Sequence, residues 1–137
     1  MRVILTVILL LWGATAQAEV LDIAGKTAYQ VKMARTPEEL STGLMGVRHL
    51  PENEGMLFDL RAYPKAKMWM KNTYISLDML FMDCDFKVVD IYEKAVPLSL
   101  QKIGSEYKFC YVLEINGGQA EKHGIVIGDE AVVQRSD

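Results

Sequence analysis

Hydrophobic and polar positions change rhythm several times along the chain. Residues 3–12 form an unbroken, mostly aliphatic run, preceded by Met1 and Arg2 and followed by Gly13, Ala14 and Thr15. Residues 27–34 alternate, with Tyr29, Val31 and Met33 on one side and Gln30 and Lys32 on the other. A period of two over that length predicts a half-buried strand. Thr36-Pro37-Glu38-Glu39 is a helix start, with Thr36 as N-cap, Pro37 at the first helical position and Glu39 closing a capping box. The predicted helix runs to about Met45 and buries Leu40, Leu44 and Met45. Gly43 costs it about 1 kcal/mol relative to Ala, so the helix is short or a backbone contact demands glycine.

Beyond that helix the pattern is mainly β. Residues 55–60, 67–70, 77–82, 87–92, 109–115 and 130–134 are short runs rich in apolar, β-branched and aromatic side chains. Asp83-Cys84-Asp85 reads as a hairpin turn held by aspartate side chains. Residues 118–123 predict one or two helical turns, ended by Gly124 in a left-handed cap. The expected fold is mainly β: a compact β-sandwich or distorted barrel of short strands with one or two short helices.

The first 18 residues have the layout of a secretory signal: a positive charge, an apolar core of about ten residues, and the small residues Ala16 and Ala18 before Glu19. A spanning helix needs about 20 apolar residues, so a lasting membrane anchor is not expected. No cysteine follows the run to take a lipid. Cleavage is predicted between Ala18 and Glu19, leaving residues 19–137 as one domain in the periplasm or outside the cell. Export would put Cys84 and Cys110 in an oxidising compartment, where a disulfide is the first expectation and two buried free thiols the other. There is no CxxC motif and no His beside either cysteine to suggest a reactive thiol.

Half of the residues are hydrophobic and the formal charge is −3, which excludes a disordered chain and offers no basic footprint for nucleic acid. Loss of Arg2 with the leader makes the charge one unit more negative. Two Cys and two His are too few for a zinc-finger-type domain, and no pattern calls for a cofactor. Gly117-Gly118 lacks the longer phosphate-binding motifs, so a tight turn explains it. Copper(I) bound by Met68 and Met70 with His49 or His123 is chemically allowed. Methionine is also a routine core filler, and that is the better default here.

Two segments stand out for chemistry. Trp69-Met70-Lys71-Asn72-Thr73 offers an apolar ring beside convergent polar groups, the make-up of a ligand site, or of a loop that satisfies its own backbone. Asp78 and Glu114 each interrupt a strand otherwise made for a core. A carboxylate so placed must be paired, hydrogen-bonded or protonated. Each is a structural acceptor or a carboxyl perturbed in a cleft, and a pair about 5–10 Å apart would suit glycoside hydrolysis.

Taken in order, these segments resemble the bacterial and archaeal family known as domain of unknown function 192, from about Val31 to Val133. Gly43-Leu44-Met45 resembles its GLM signature and Gly55-Met56-Leu57-Phe58 its GMLF element. Residues 69–73 with Leu77-Asp78 are similar to its WMKNT…LD core, residues 112–118 to its VLE element, and Gly128-Asp129 to its closing GD. Many members carry Arg directly after GLM, whereas here Gly46 and Val47 precede Arg48. The resemblance implies a compact β-sandwich-like domain, commonly exported, with no assigned activity, and makes Gly43 and Gly55 packing or turn glycines.

Three functions are expected in turn. The first is a non-enzymatic ligand-binding or envelope accessory module, monomeric, holding a small sugar or peptide through Trp69, Lys71, Asn72, Asp78 and Glu114. The second is a glycan hydrolase with Asp78 and Glu114 as acid and base. The third is a structural module that binds an envelope protein. No catalytic residue is assigned.

Overall fold

A computed structural model describes residues 19–134; the predicted leader and its cleavage site lie outside them, apart from Glu19. Seven strands form one sheet: β1 (Glu19–Ile23), β2 (Thr27–Ala34), β3 (Glu54–Asp59), β4 (Leu77–Met82), β5 (Val88–Ala95), β6 (Tyr111–Asn116) and β7 (Ala131–Gln134). Two short helices, α1 (Pro37–Thr42) and α2 (Gln119–His123), complete the elements. The sheet order is β5-β4-β6-β3-β2-β1-β7, antiparallel except for the β2–β3 pair.

The sheet curls into a half-barrel whose edges meet at one end. Val88 N–H donates to the Asp129 carbonyl, Gly128 N–H to the Val88 carbonyl and Ala131 N–H to the Phe86 carbonyl, so the start of β5 is laced to the start of β7. One core cluster draws on every strand, including Leu21, Tyr29, Leu57, Leu80, Val88, Leu113 and Ala131. Contact among side chains from all seven strands places this core on the concave face. The second cluster, with Met56, Phe58, Leu77, Met79, Phe81 and Val112, occupies the convex face. It is roofed by the segments between β3 and β4 and between β5 and β6, which contribute Met68, Met70, Ile103 and Phe109. β4 is therefore buried at all six positions, a strand covered on both faces.

Several expectations shift by physical causes. The distorted-barrel alternative describes the single curled sheet, rather than two packed sheets. α1 stops at Thr42 because Gly43 turns to φ +46° against the Phe58 ring, where an added Cβ would lie 3.0 Å from Cζ. Leu40 and Met45 are consequently only partly buried, and Leu44 alone of the three is buried. Residues 67–70 are not a strand: Met68 makes an isolated bridge to Ile103, and Thr73 N–H turns back to the Met70 carbonyl. β1 was not anticipated, although Leu21 and Ile23 carry the alternation that defines it. Asp83 does hold the β4–β5 turn, accepting from the Asp85 and Lys87 N–H groups at 2.9 Å each. Gly124 closes α2 in the left-handed conformation. Cys84 and Cys110 form a disulfide, and no described helix is long and apolar enough to cross a membrane.

Candidate functional site

On the convex face a cavity of about 690 Å³ opens between α1, β3 and the 63–69 segment. Pro37, Leu40 and Leu44 form one wall, Phe58 and Leu60 the back, and Tyr63 to Trp69 the other wall. Thr73 and Glu114 are the buried polar groups of this mainly apolar enclosure, both at least nine-tenths buried, whereas Ser41, Thr42, Lys65 and Lys67 line it from exposed positions.

Glu114 owes its position to register. It lies opposite Met56 of β3 and Met79 of β4, so both cross-strand neighbours are apolar. It is 4% exposed, and neither hydrogen bond nor nearby cation compensates it: burial alone pushes its carboxyl up to about 8. Every fully enclosed side-chain nitrogen or oxygen among the described residues has a hydrogen-bond partner. The unpartnered Glu114 oxygens are therefore those that reach the cavity. At neutral pH the group is a protonated acid, able to donate, or to give up its proton to a base that enters.

Asp78 lies on the other face, opposite Ile115 of β6. Its carboxylate is fully buried and saturated by backbone donors: Lys94 N–H at 2.8 Å, Gly118 N–H at 3.1 Å to both oxygens, and Ala120 N–H at 2.9 Å. Between Leu77 and Met79, β5 inserts an extra residue, and Lys94 adopts φ +49° at this bulge. Asp78 thus ties a β-bulge, a glycine turn and the first turn of α2 together. The Asp78–Glu114 pair is not formed, because the sheet itself stands between the two side chains.

The 69–73 segment is divided in the same way. Trp69 is 41% exposed at the cavity mouth, with the Lys71 ammonium 5.1 Å from its ring centroid. Thr73 lines the interior, its hydroxyl donating to the Lys71 carbonyl. Asn72 is exposed at φ +52° and its carbonyl accepts from Gly46 N–H. Its role is in the turn. Arg48 stacks on the exposed Tyr74 ring, 4.5 Å from the centroid, outside the cavity. Nor does the copper set assemble: Met70 is fully buried in the convex core, His49 is exposed, and His123 pairs with Gln119 on α2 at 3.1 Å.

The α1 wall and the Tyr63–Lys67 stretch are the parts of the site that sequence reasoning passed over. The signal available was Pro64 within a polar stretch flanked by Tyr63 and Met68, a loop with apolar anchors at each end.

The fold is a half-barrel with an apolar cavity on its convex face and one buried acid lining it. Residues 19–133 match the family described as "Uncharacterized ACR", domain of unknown function 192, and the chain belongs to that family. A protein of unknown function from Novosphingobium aromaticivorans DSM 12444 is 36% identical with a TM-score of 0.77, the match covering 82% of this chain and 83% of that one. A candidate transcription regulator from Sinorhizobium meliloti 1021 is 35% identical with a TM-score of 0.79, covering 88% and 98%. No curated protein matches the chain.

Proposed function

We propose that this protein is exported and that its mature domain is a non-enzymatic module binding a small ligand in the convex-face cavity. The observation that carries this reading is Glu114, a buried, unpartnered carboxyl in an apolar hollow. A fold gains nothing from an uncompensated acid in its core, so such a group argues for a partner that arrives from outside. Segments that resemble the family signature converge there: Gly43-Leu44-Met45, Phe58, Trp69 and Thr73 all line the cavity with Glu114. Trp69 supplies a stacking surface at the mouth and Lys71 a charge beside it. The Cys84–Cys110 bridge agrees with an oxidising compartment. A DNA-binding role would need a basic surface, and the net charge is −3.

Thermal unfolding against a panel of small molecules tests the binding reading. A ligand at a hundredfold excess over its Kd adds about 2.7 kcal/mol, a rise of roughly 10 °C for a domain of this size. The expected hit disappears in Trp69→Ala and in Leu44→Trp, which fills the cavity. A panel that never moves Tm, or hits indifferent to both changes, would overturn the proposal. N-terminal sequencing of the protein recovered from expressing cells checks export, with Glu19 expected as the first residue.

A further inference from the structure

We infer that the ligand of this cavity carries a basic nitrogen on an apolar body, the nitrogen reaching Glu114 and the body packing between α1 and Trp69. The inference rests on the cavity reading above and names its ligand class.

The elements around Glu114 supply no counter-charge. Met56 and Phe58 of β3, Met79 of β4, and Leu40 and Leu44 of the α1 wall are all apolar. The Thr73 hydroxyl donates to the Lys71 carbonyl and leaves the acid without a donor. Lys65 and Lys67 line the cavity, but both side chains are exposed. The Lys67 ammonium lies against Gly104, where a Cβ on that glycine would sit 2.7 Å from it. Charges at the mouth are screened by solvent, whereas a charge within the apolar enclosure is not.

Four ligand chemistries can be compared against these walls. A sugar would strand hydroxyls against Leu40, Leu44, Phe58 and Met68, each costing desolvation without return. An anion could accept one hydrogen bond from protonated Glu114 but would carry a charge with no counter-ion into the apolar enclosure. A neutral apolar molecule fits the walls but leaves Glu114 unpaired. An amine or guanidinium takes the carboxylate as its counter-ion, and charge-assisted hydrogen bonds are about twice as strong as neutral ones. The proton balance closes: the Glu114 proton passes to bulk solvent, and the protonated ligand nitrogen replaces it as the positive partner.

Titration calorimetry with 4-phenylbutylamine and 4-phenylbutanol at pH 8.5 compares the two head groups on one body. The amine is expected to bind at least tenfold more tightly. Glu114→Gln should bring the amine down to the alcohol's affinity while leaving the alcohol within about twofold. Glu114→Met, which matches its cross-strand neighbours in shape, serves as a second variant, and the comparison in the parent protein needs no variant to fold. Equal affinities for the two compounds, both lost in Leu44→Trp, would overturn the nitrogen assignment and leave the cavity reading standing. Binding of neither compound to the folded parent would overturn the assignment; the cavity reading then falls only if the wider panel is also silent.

Discussion

Asp78 and Glu114 show how far one residue type can diverge under the same local pattern. Both are carboxyls in strands whose neighbours are core residues, and they sit one register step apart on adjacent strands. The pleat sends them to opposite faces. Asp78 meets three backbone N–H groups at the bulge and at α2, so its charge is held by donors already fixed in the fold. Asp78→Asn keeps one acceptor but turns an NH₂ toward N–H donors. It is expected to lose about 1–3 kcal/mol of stability in urea titration, with little change in ligand affinity. Glu114 behaves oppositely. Its carboxyl ionises near 4.5 when unfolded and near 8 when folded, so between those values the native state holds the extra proton. Stability is then greatest at and below about pH 4.5 as far as this group is concerned. It falls by up to about 1.4 kcal/mol per pH unit as pH rises toward 8, and is flat above. Glu114→Gln should abolish that slope and exceed the parent in stability at pH 8.5. A parent urea midpoint constant from pH 6 to 8.5 would contradict this.

At the scale of elements, α1 is the least self-sufficient part of the site. It has six residues, none buried, and its start depends on the reciprocal bonds between Thr36 and Glu39 at 3.0 and 3.1 Å. Thr36→Ala is expected to cost about 1 kcal/mol, and to weaken ligand binding because the α1 wall then frays. Gly43→Ala should cost more, since it combines φ +46° with a 3.0 Å approach to the Phe58 ring. Urea titration of the two variants side by side checks the order. Local signals of this kind were legible in the chain itself: the capping box, the Gly124 cap, the Asp83 turn and the alternation of β2 all carry their cause within a few residues. The cavity was legible only in part. Glu114 and Trp69 were marked by their odd settings, but which face each strand residue takes depends on register against β3 and β4, contacts distant in sequence. For that reason the sequence leaves Asp78 open between a structural acceptor and a cleft carboxyl near Glu114, and only the register makes it the acceptor. Residues 67–70 read as a strand because their composition is that of one. What composition omits is a neighbour: apart from the Met68–Ile103 bridge no continuous ladder is available there.

For the molecule as a whole, the question is what holds a half-barrel closed when its two edge strands meet at only one end. The disulfide acts near that end. Cys84 lies in the β4–β5 turn and Cys110 immediately before β6, a separation of 26 residues. In the chain-entropy account, a closed loop of that length contributes roughly 3 kcal/mol by restricting the unfolded chain. Backbone bonds hold the same region independently: Cys110 N–H donates to the Met82 carbonyl and Leu60 N–H to the Cys110 carbonyl, both at 2.8 Å. Removing the bridge should therefore leave the sheet and the convex-face cavity in place while making unfolding easier. The double variant Cys84→Ser, Cys110→Ser is expected to unfold at lower urea concentration, by roughly 3 kcal/mol, with an unchanged affinity for any ligand that Trp69→Ala abolishes. If affinity fell in step with stability, the disulfide would be shaping the folded site as well as the unfolded chain. The cavity would then be coupled to the closed end of the barrel through β6, the strand that follows Cys110 and carries Glu114.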